Sequence, residues 1–221
     1  MSQWLGAKQL RLCELCASVA YPDDVTRVWL TIVLAASVAC APTPADDEAS
    51  FLSDLQAFRA AKDQAFLEPD SPVLADKRAT LLPLAYFAPS LAYRVPAILR
   101  RSAERVTIEM PTSTGLRRKM RHVGTLEFSV RGEALTLGAF VEEGARDLNR
   151  LFVPFMDLTS GSDTYPAGRY LDLDLTRTGI YVIDFNRAYN PYCYYNPTYD
   201  CPYPPRANRL QTPIRAGEKV K

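Results

Sequence analysis

Thr125-Leu-Glu-Phe-Ser-Val-Arg-Gly-Glu-Ala-Leu-Thr-Leu137 decides the fold class. Leu126, Phe128 and Val130 fall on one side of an extended chain and Thr125, Glu127 and Ser129 on the other, because successive strand side chains point to opposite faces. Arg131-Gly132-Glu133 carries the turn signal, and Leu135 and Leu137 bring the apolar face back. An antiparallel hairpin with one buried and one wetted face follows.

Outward from this hairpin the period of two recurs. Tyr93, Val95 and Ala97 alternate, as do Val106, Ile108 and Met110, with Pro111-Thr-Ser-Thr-Gly115 as a turn. Leu151-Phe-Val-Pro-Phe-Met156 is a further strand, and Pro154 predicts an edge or a bulge there. A last hairpin is predicted from Arg169 to Leu175, turning at Thr176-Arg-Thr-Gly179 and returning from Ile180 to Phe185. Ahead of the strands, Phe51, Leu55, Phe58, Ala61 and Ala65 recur at helical spacing over Asp47–Phe66, with Arg59, Lys62, Asp63 and Gln64 on the other face. Pro69 and Pro72 end this helix, a second short helix is expected over Ala75–Leu82, and Leu84-Ala-Tyr-Phe87 reads as a core anchor. Helices do not alternate with strands, so a parallel α/β fold is disfavoured. The expected fold is mainly β: an antiparallel β-sandwich or partly open β-barrel with an N-terminal amphipathic helix packed outside.

The chain closes on a C-terminal Tyr/Pro-rich wrap, Asp184-Phe-Asn-Arg-Ala-Tyr-Asn-Pro-Tyr-Cys-Tyr-Tyr-Asn-Pro-Thr-Tyr-Asp-Cys-Pro-Tyr-Pro-Pro-Arg-Ala-Asn208. Proline stiffens it and its aromatic mass favours burial, so it is expected to lie ordered across one end of the barrel.

With 26 basic against 25 acidic side chains, the chain lacks the one-sided positive field of a nucleic-acid binder. Arg117-Arg118-Lys119 with Arg121 is a short basic cluster suited to a solvated strand edge.

The N-terminus reads as an export leader over residues 1–40. Arg27 precedes Val28-Trp-Leu-Thr-Ile-Val-Leu-Ala-Ala-Ser-Val-Ala39, too short to span a bilayer, which takes about 20 residues. It suits the apolar region of a signal peptide over 25–39. Ser37-Val-Ala-Cys40 resembles a bacterial lipobox, which would make Cys40 the lipidated mature terminus. Residues 1–24 fit poorly ahead of such a signal, and a start at Val25 is expected; the Cys13-x-x-Cys16 pair then carries no function. Ala41–Glu48 reads as a tether, and residues 49–221 as one globular domain. The expected location is the periplasmic face of a bacterial envelope, with the outer membrane favoured because Ala41 is not Asp.

Were Leu175 to pair with Ile180, period two would put Arg169, Leu171, Leu173, Val182, Asp184 and Asn186 on one side, with an Arg169–Asp184 diagonal pair at its open end. The loop Phe155-Met-Asp157-Leu-Thr159-Ser-Gly161-Ser-Asp-Thr164-Tyr165-Pro-Ala-Gly168 lies at the same end. Asp157, Thr159, Tyr165, Arg169, Asp184, Asn186, Tyr189, Asn190 and Tyr192 are therefore the candidate ligand-binding residues: an Arg for an anionic group, with tyrosines as walls. The bland alternative is that Arg169 and the aspartates staple the loop to the barrel.

The motifs Asp157-x-Thr-x-Gly-x-x-Thr-Tyr-x-x-Gly-Arg-Tyr and Asp184-Phe-Asn-x-Ala-Tyr-Asn-Pro-Tyr-Cys…Cys-Pro-x-Pro…Asn-Arg-Leu…Ile-x-Ala-Gly-Glu-Lys219 closely resemble the bacterial and archaeal domain-of-unknown-function family 1684. The resemblance runs from about Phe58 to Lys219, and Phe58-Arg-x-x-Lys62-Asp resembles the family's opening helix. It implies the domain's extent and the importance of both motifs, and carries no activity or cofactor.

In an exported domain Cys193 and Cys201 most simply form a disulfide, worth about 2–3 kcal/mol in the chain-entropy picture. Free buried thiols and a shared metal are the alternatives, the metal disfavoured because His122 is the single histidine and is remote. No G-x-S-x-G element, phosphate-binding loop or dinucleotide fingerprint is present, and no cofactor is expected. The expected function is binding of a small or peptide-like ligand, with the membrane reached through the lipid on Cys40. The rivals are a hydrolase using Asp157 or Asp184 as acid/base with Arg169 holding an anion, and an envelope assembly protein that presents its tyrosines.

Overall fold

The computed structural model describes residues 44–145 and 149–221. The expected signal over 25–39, Cys40, the Cys13/Cys16 pair and Ala41–Thr43 lie outside the described residues. Helix α1 spans Pro44–Ala65, so the C-terminal half of the expected tether is helical. Its buried stripe begins as the spacing predicts, with Phe51 and Leu55 buried, but Ala61 and Ala65 are exposed. Lys62 and Phe66 continue the stripe instead, because Lys62 meets a buried carboxylate, Glu218.

Six strands follow: β1 (Arg94–Pro111), β2 (Arg117–Val130), β3 (Glu133–Glu142), β4 (Arg150–Phe155), β5 (Arg169–Asp174) and β6 (Ile180–Asp184). They form one antiparallel sheet in the order β5-β4-β3-β2-β1-β6, nearly closed into a barrel. The β2–β3 hairpin pairs Phe128 with Leu135 and Leu126 with Leu137. Its turn places both Arg131 (φ 52°) and Gly132 (φ 85°) in the left-handed region, the conformation that suits the twist of a tight hairpin. The two strands expected around Val95 and Ile108 are one long strand, β1, with a register shift between Arg101 and Val106. Leu126, Leu137, Ala139, Leu151, Val153, Phe155, Ile183 and Phe185 fill the interior and are buried.

Pro154 lies inside the sheet rather than at its edge. The β3–β4 ladder has a single residue pair, Phe140 with Phe152, and the gap beyond it is filled by a side chain from the wrap. Asn208 exchanges two hydrogen bonds with Gly138 of β3, at 2.8 and 2.9 Å, and donates to Pro154 O of β4 at 2.6 Å.

The predicted last hairpin is the main correction. β5 pairs with β4 and β6 with β1, so the two strands are opposite edges of the sheet rather than a ladder. They meet at the 175–179 loop and splay apart. The opening is closed again at its far end, where Tyr170 and Tyr189 exchange backbone bonds at 2.9 and 3.0 Å. Freed from the assumed register, β6 turns Tyr181 and Ile183 inward and leaves Val182 outside.

Candidate functional site

Gly168 opens β5 at φ +90°, where an added Cβ would lie 2.4 Å from Phe155 O. This tight entry swings Arg169 into the barrel end, where its side chain and that of Asp157 are each 1% exposed. The guanidinium donates to Asp157 Oδ2 at 2.8 Å, to Ile214 O at 2.8 Å, and also to Ala216 O and Glu218 O. Burial draws Arg169 below its ordinary pKa range, against the opposing pull of Asp157 and Glu218. Asp157 Oδ1 accepts from the backbone of Thr159 and Ile214. Both charges are thus paired and hydrogen-bonded, which a buried ion pair needs in order not to be ruinous. They pin the C-terminal segment and the 157–164 loop to the sheet.

The expected Arg169–Asp184 pair does not form, because β5 and β6 are not neighbours. Asp184 caps the turn after β6 through Asn186 N–H at 3.0 Å and lies 3.6 Å from Arg187. Asn186 is buried and bridges to both backbone groups of Ser90. Thr159 and Thr164 bond each other internally at 3.0 Å. Asn190 is buried; its N–H donates to Glu218 Oε2 at 2.7 Å, the oxygen that Tyr195 OH also reaches at 2.7 Å. Asp157, Thr159, Arg169, Asn186 and Asn190 are therefore framework. Asp184, Tyr189 and Tyr192 of the candidate set face cavities, and Tyr165 is half-buried beside Cys193.

The wrap is ordered, as expected. It bonds to the β1–β2 turn through Ser113 and Cys201, to β1 through Pro111 and Tyr203, and to β5 through Tyr170. Its rings pack edge to face, Tyr192 on Tyr199 at 5.3 Å and Tyr170 on Tyr189 at 5.8 Å. Of its tyrosines only Tyr192 and Tyr203 are exposed, which leaves little of the surface an assembly interface would need.

Cys193 and Cys201 stand beside each other as free, buried thiols in this structure, the second of the expected arrangements. Each sulfur is held by a hydrogen bond. Cys201 Sγ accepts from Cys193 N–H at 3.1 Å, and Cys193 Sγ lies 3.8 Å from Tyr165 OH. The hydrogen bond from Cys201 is the main reason that Cys193 is drawn down to about 6; the same bond and burial push Cys201 up.

Two adjoining cavities lie on the outer face. One, of about 600 Å³, separates α1 from the splayed β5 and β6, with Phe51, Leu55 and Phe58 opposite Leu171, Leu173 and Val182. The other, of about 430 Å³, runs between the end of β3, the start of β4 and the wrap and is walled by Phe152, Tyr170, Tyr192 and Tyr199. Arg150, Asp172 and Tyr189 line both. Asp172 accepts from Tyr189 OH at 2.9 Å, and Arg150 stands 4.0 Å away, more than half exposed. Burial raises the Asp172 carboxyl, with the Tyr189 bond and Arg150 pulling it back; burial and then Asp172 raise Tyr189 well above its ordinary range. Arg118, by contrast, is engaged by Asp200 and Glu142. Arg150 and Phe152 were missed by the sequence reading because nothing local marks them. They come beside the wrap only through the tertiary fold, where both line the second cavity.

The profile of the family described as "Protein of unknown function (DUF1684)" matches residues 80–219. The chain belongs to this family. The chain is also similar to the solution NMR structure of an uncharacterized protein of Haloarcula marismortui, 37% identical with a TM-score of 0.63. That likeness covers 79% of this chain and 96% of the archaeal one. No curated protein matches the chain. The DUF1684 match takes in β1 to β6, the Arg169–Asp157 node and the wrap, and starts after α1.

Proposed function

We propose that this DUF1684 domain is a binding module of the bacterial cell envelope, tethered to the membrane by a lipid on Cys40, that holds a small or peptide-like ligand on its outer face. The observation that carries the reading is the pair of adjoining concavities that share Arg150, Asp172 and Tyr189. Each has the size of an ordinary ligand site, about 300–1,000 Å³, and combines apolar walls with a few oriented polar groups. Arg150 supplies an exposed cation at the common rim, and Tyr189 is fixed by Asp172. The hydrolase reading has less support, since Asp157 is enclosed and paired with Arg169 while Asp184 stands beside Arg187.

Export belongs to the same proposal, and with it oxidation of the neighbouring Cys193 and Cys201 thiols by a disulfide-class oxidant of the envelope, two protons and two electrons leaving as the bond forms. The test is capture. Full-length tagged protein is purified from membranes and its bound small molecules and peptides are identified by mass spectrometry, alongside Asp172→Lys, which reverses the charge shared by both cavities and releases Tyr189. Enrichment of one ligand on wild type and its loss from the variant support the reading; equal recovery from both removes it. Membrane release of Cys40→Ala tests the anchor.

A further inference from the structure

We propose that the open seam between β5 and β6 receives an extended basic peptide as an added strand. This deepens the binding reading above and rests on it. The ladder bonds fix which backbone groups are unused. Leu175 N–H bonds to Asn149 O, and Pro154, without an N–H, stands opposite Tyr170, so β5 turns its odd-numbered residues to β4. Tyr170, Asp172 and Asp174 then turn theirs to the seam, and Tyr170 already uses its pair on Tyr189. On β6, Leu99 N–H bonds to Gly179 O, and Pro96 stands opposite Val182, so Val182 also presents its N–H and C=O to the seam.

Three residues of free strand edge therefore border the cavity of about 600 Å³. Unpaired edges template strand addition, in which the main chain supplies affinity and alternate side chains supply specificity. The charge of the cavity selects the occupant. Five aspartates (Asp47, Asp54, Asp172, Asp174 and Asp184) face three arginines (Arg94, Arg150 and Arg187), a net excess of two negative charges. Two of those arginines stand beside Asp172 and Asp184, at 4.0 and 3.6 Å, and Arg187 also stacks on Phe58 at 4.7 Å. Asp47, Asp54 and Asp174 outnumber the remaining arginine, Arg94, by two, and that excess favours cations from a ligand. Phe58 and Leu173 provide apolar contact, so the fitting segment alternates Lys or Arg with an apolar residue.

The probe is acetyl-(Lys-Val)3-amide, titrated into isotope-labelled full chain by NMR. Saturable shifts centred on the Asp172, Asp174 and Val182 amides are expected. Affinity should fall about tenfold when the valine nitrogens are methylated, since each lost hydrogen bond matters at this level. It should also fall with added salt and for Val182→Pro, which removes an edge N–H that β1 does not use. Acetyl-(Glu-Val)3-amide should not bind. Equal binding of the methylated or acidic peptide overturns the proposal, whether or not Val182→Pro folds. Shifts confined to Phe152, Tyr192 and Tyr199 overturn it while leaving the wider binding reading intact. No shift at either cavity overturns it too, and failure of ligand capture in addition removes both.

Discussion

Asn208 spans the gap that Pro154 opens in the sheet, donating to Pro154 O at 2.6 Å while exchanging both amide bonds with Gly138. A side chain from the wrap here does the work of a strand, because Pro154 cannot donate across to β3. Asn208→Leu leaves Gly138 N–H and two carbonyls unsatisfied in a buried site. A loss of about 2–4 kcal/mol is expected, from roughly 1–3 kcal/mol for each orphaned group with partial relaxation. Urea unfolding at fixed slope is the measurement, and a change below experimental error would show that the bridge is dispensable.

Arg169 is a framework residue, and its replacement should report on folding rather than on ligand. Arg169→Leu leaves Asp157 charged, enclosed and without its cation. Breaking one side of such a pair costs about 3–5 kcal/mol. The fraction that still folds should capture ligand as wild type does. Selective loss of binding with an unchanged melting temperature would return Arg169 to the site.

These two residues show what was legible and what was not. The β2–β3 hairpin could be read from Thr125–Leu137 because alternation and turn signal are local. The motifs around Asp157 and Asp184 were visible as dense hydrogen-bonding sequence, and the wrap as ordered aromatic chain. What failed was pairing across distance. A short loop between β5 and β6 looks like a hairpin turn, yet Tyr170 takes Tyr189 as its partner, offset by the 185–188 turn. That offset moved Val182 outward, separated Arg169 from Asp184 and opened the seam. No residue in either strand encodes this alone. It depends on which edges β4 and β1 already occupy.

The helical spacing puts Lys62 on the wet face of α1, yet its partner lies 156 residues away in the sequence. It donates to Glu218, which is 1% exposed and also holds Asn190 N–H and Tyr195 OH. Lys62→Met should therefore destabilise by about 3–5 kcal/mol, as for other buried carboxylates that lose their cation. The combined Lys62→Met, Glu218→Gln change should cost less than Lys62→Met alone, since no charge is then stranded. Hydrogen exchange should quicken first in α1. Additive losses in the double variant would mean that the two side chains are not coupled.

Asp200 ties the wrap to the β1–β2 turn and sets an acid limit on that contact. Its desolvation alone would raise the carboxyl, but hydrogen bonds from Thr112, Thr114 and Arg118, with the Arg118 charge, outweigh it and bring it from 3.8 to about 2. A carboxylate depressed on folding adds stability above its unfolded value and loses it as pH falls through the folded one. Wild type should lose more stability than Asp200→Asn between about pH 4 and about pH 2. Parallel curves for the two proteins across that interval would show that the contact contributes nothing.

The two thiols should titrate as a pair whose members have been driven apart. With Cys201 donating to it, Cys193 ionises at about 6 rather than 9.0. Thiolate absorbance of the reduced protein should therefore rise by one equivalent around that pH, and Cys201→Ala should move the rise upward, toward the ordinary thiol range, because the stabilising donor is gone. On the proposed export, protein recovered from the envelope should show no such rise until a reductant is added, because oxidation there would join the adjacent sulfurs. An immediate thiolate signal from envelope-derived protein would place the pair in the reduced state in its own compartment and remove oxidation from the proposal.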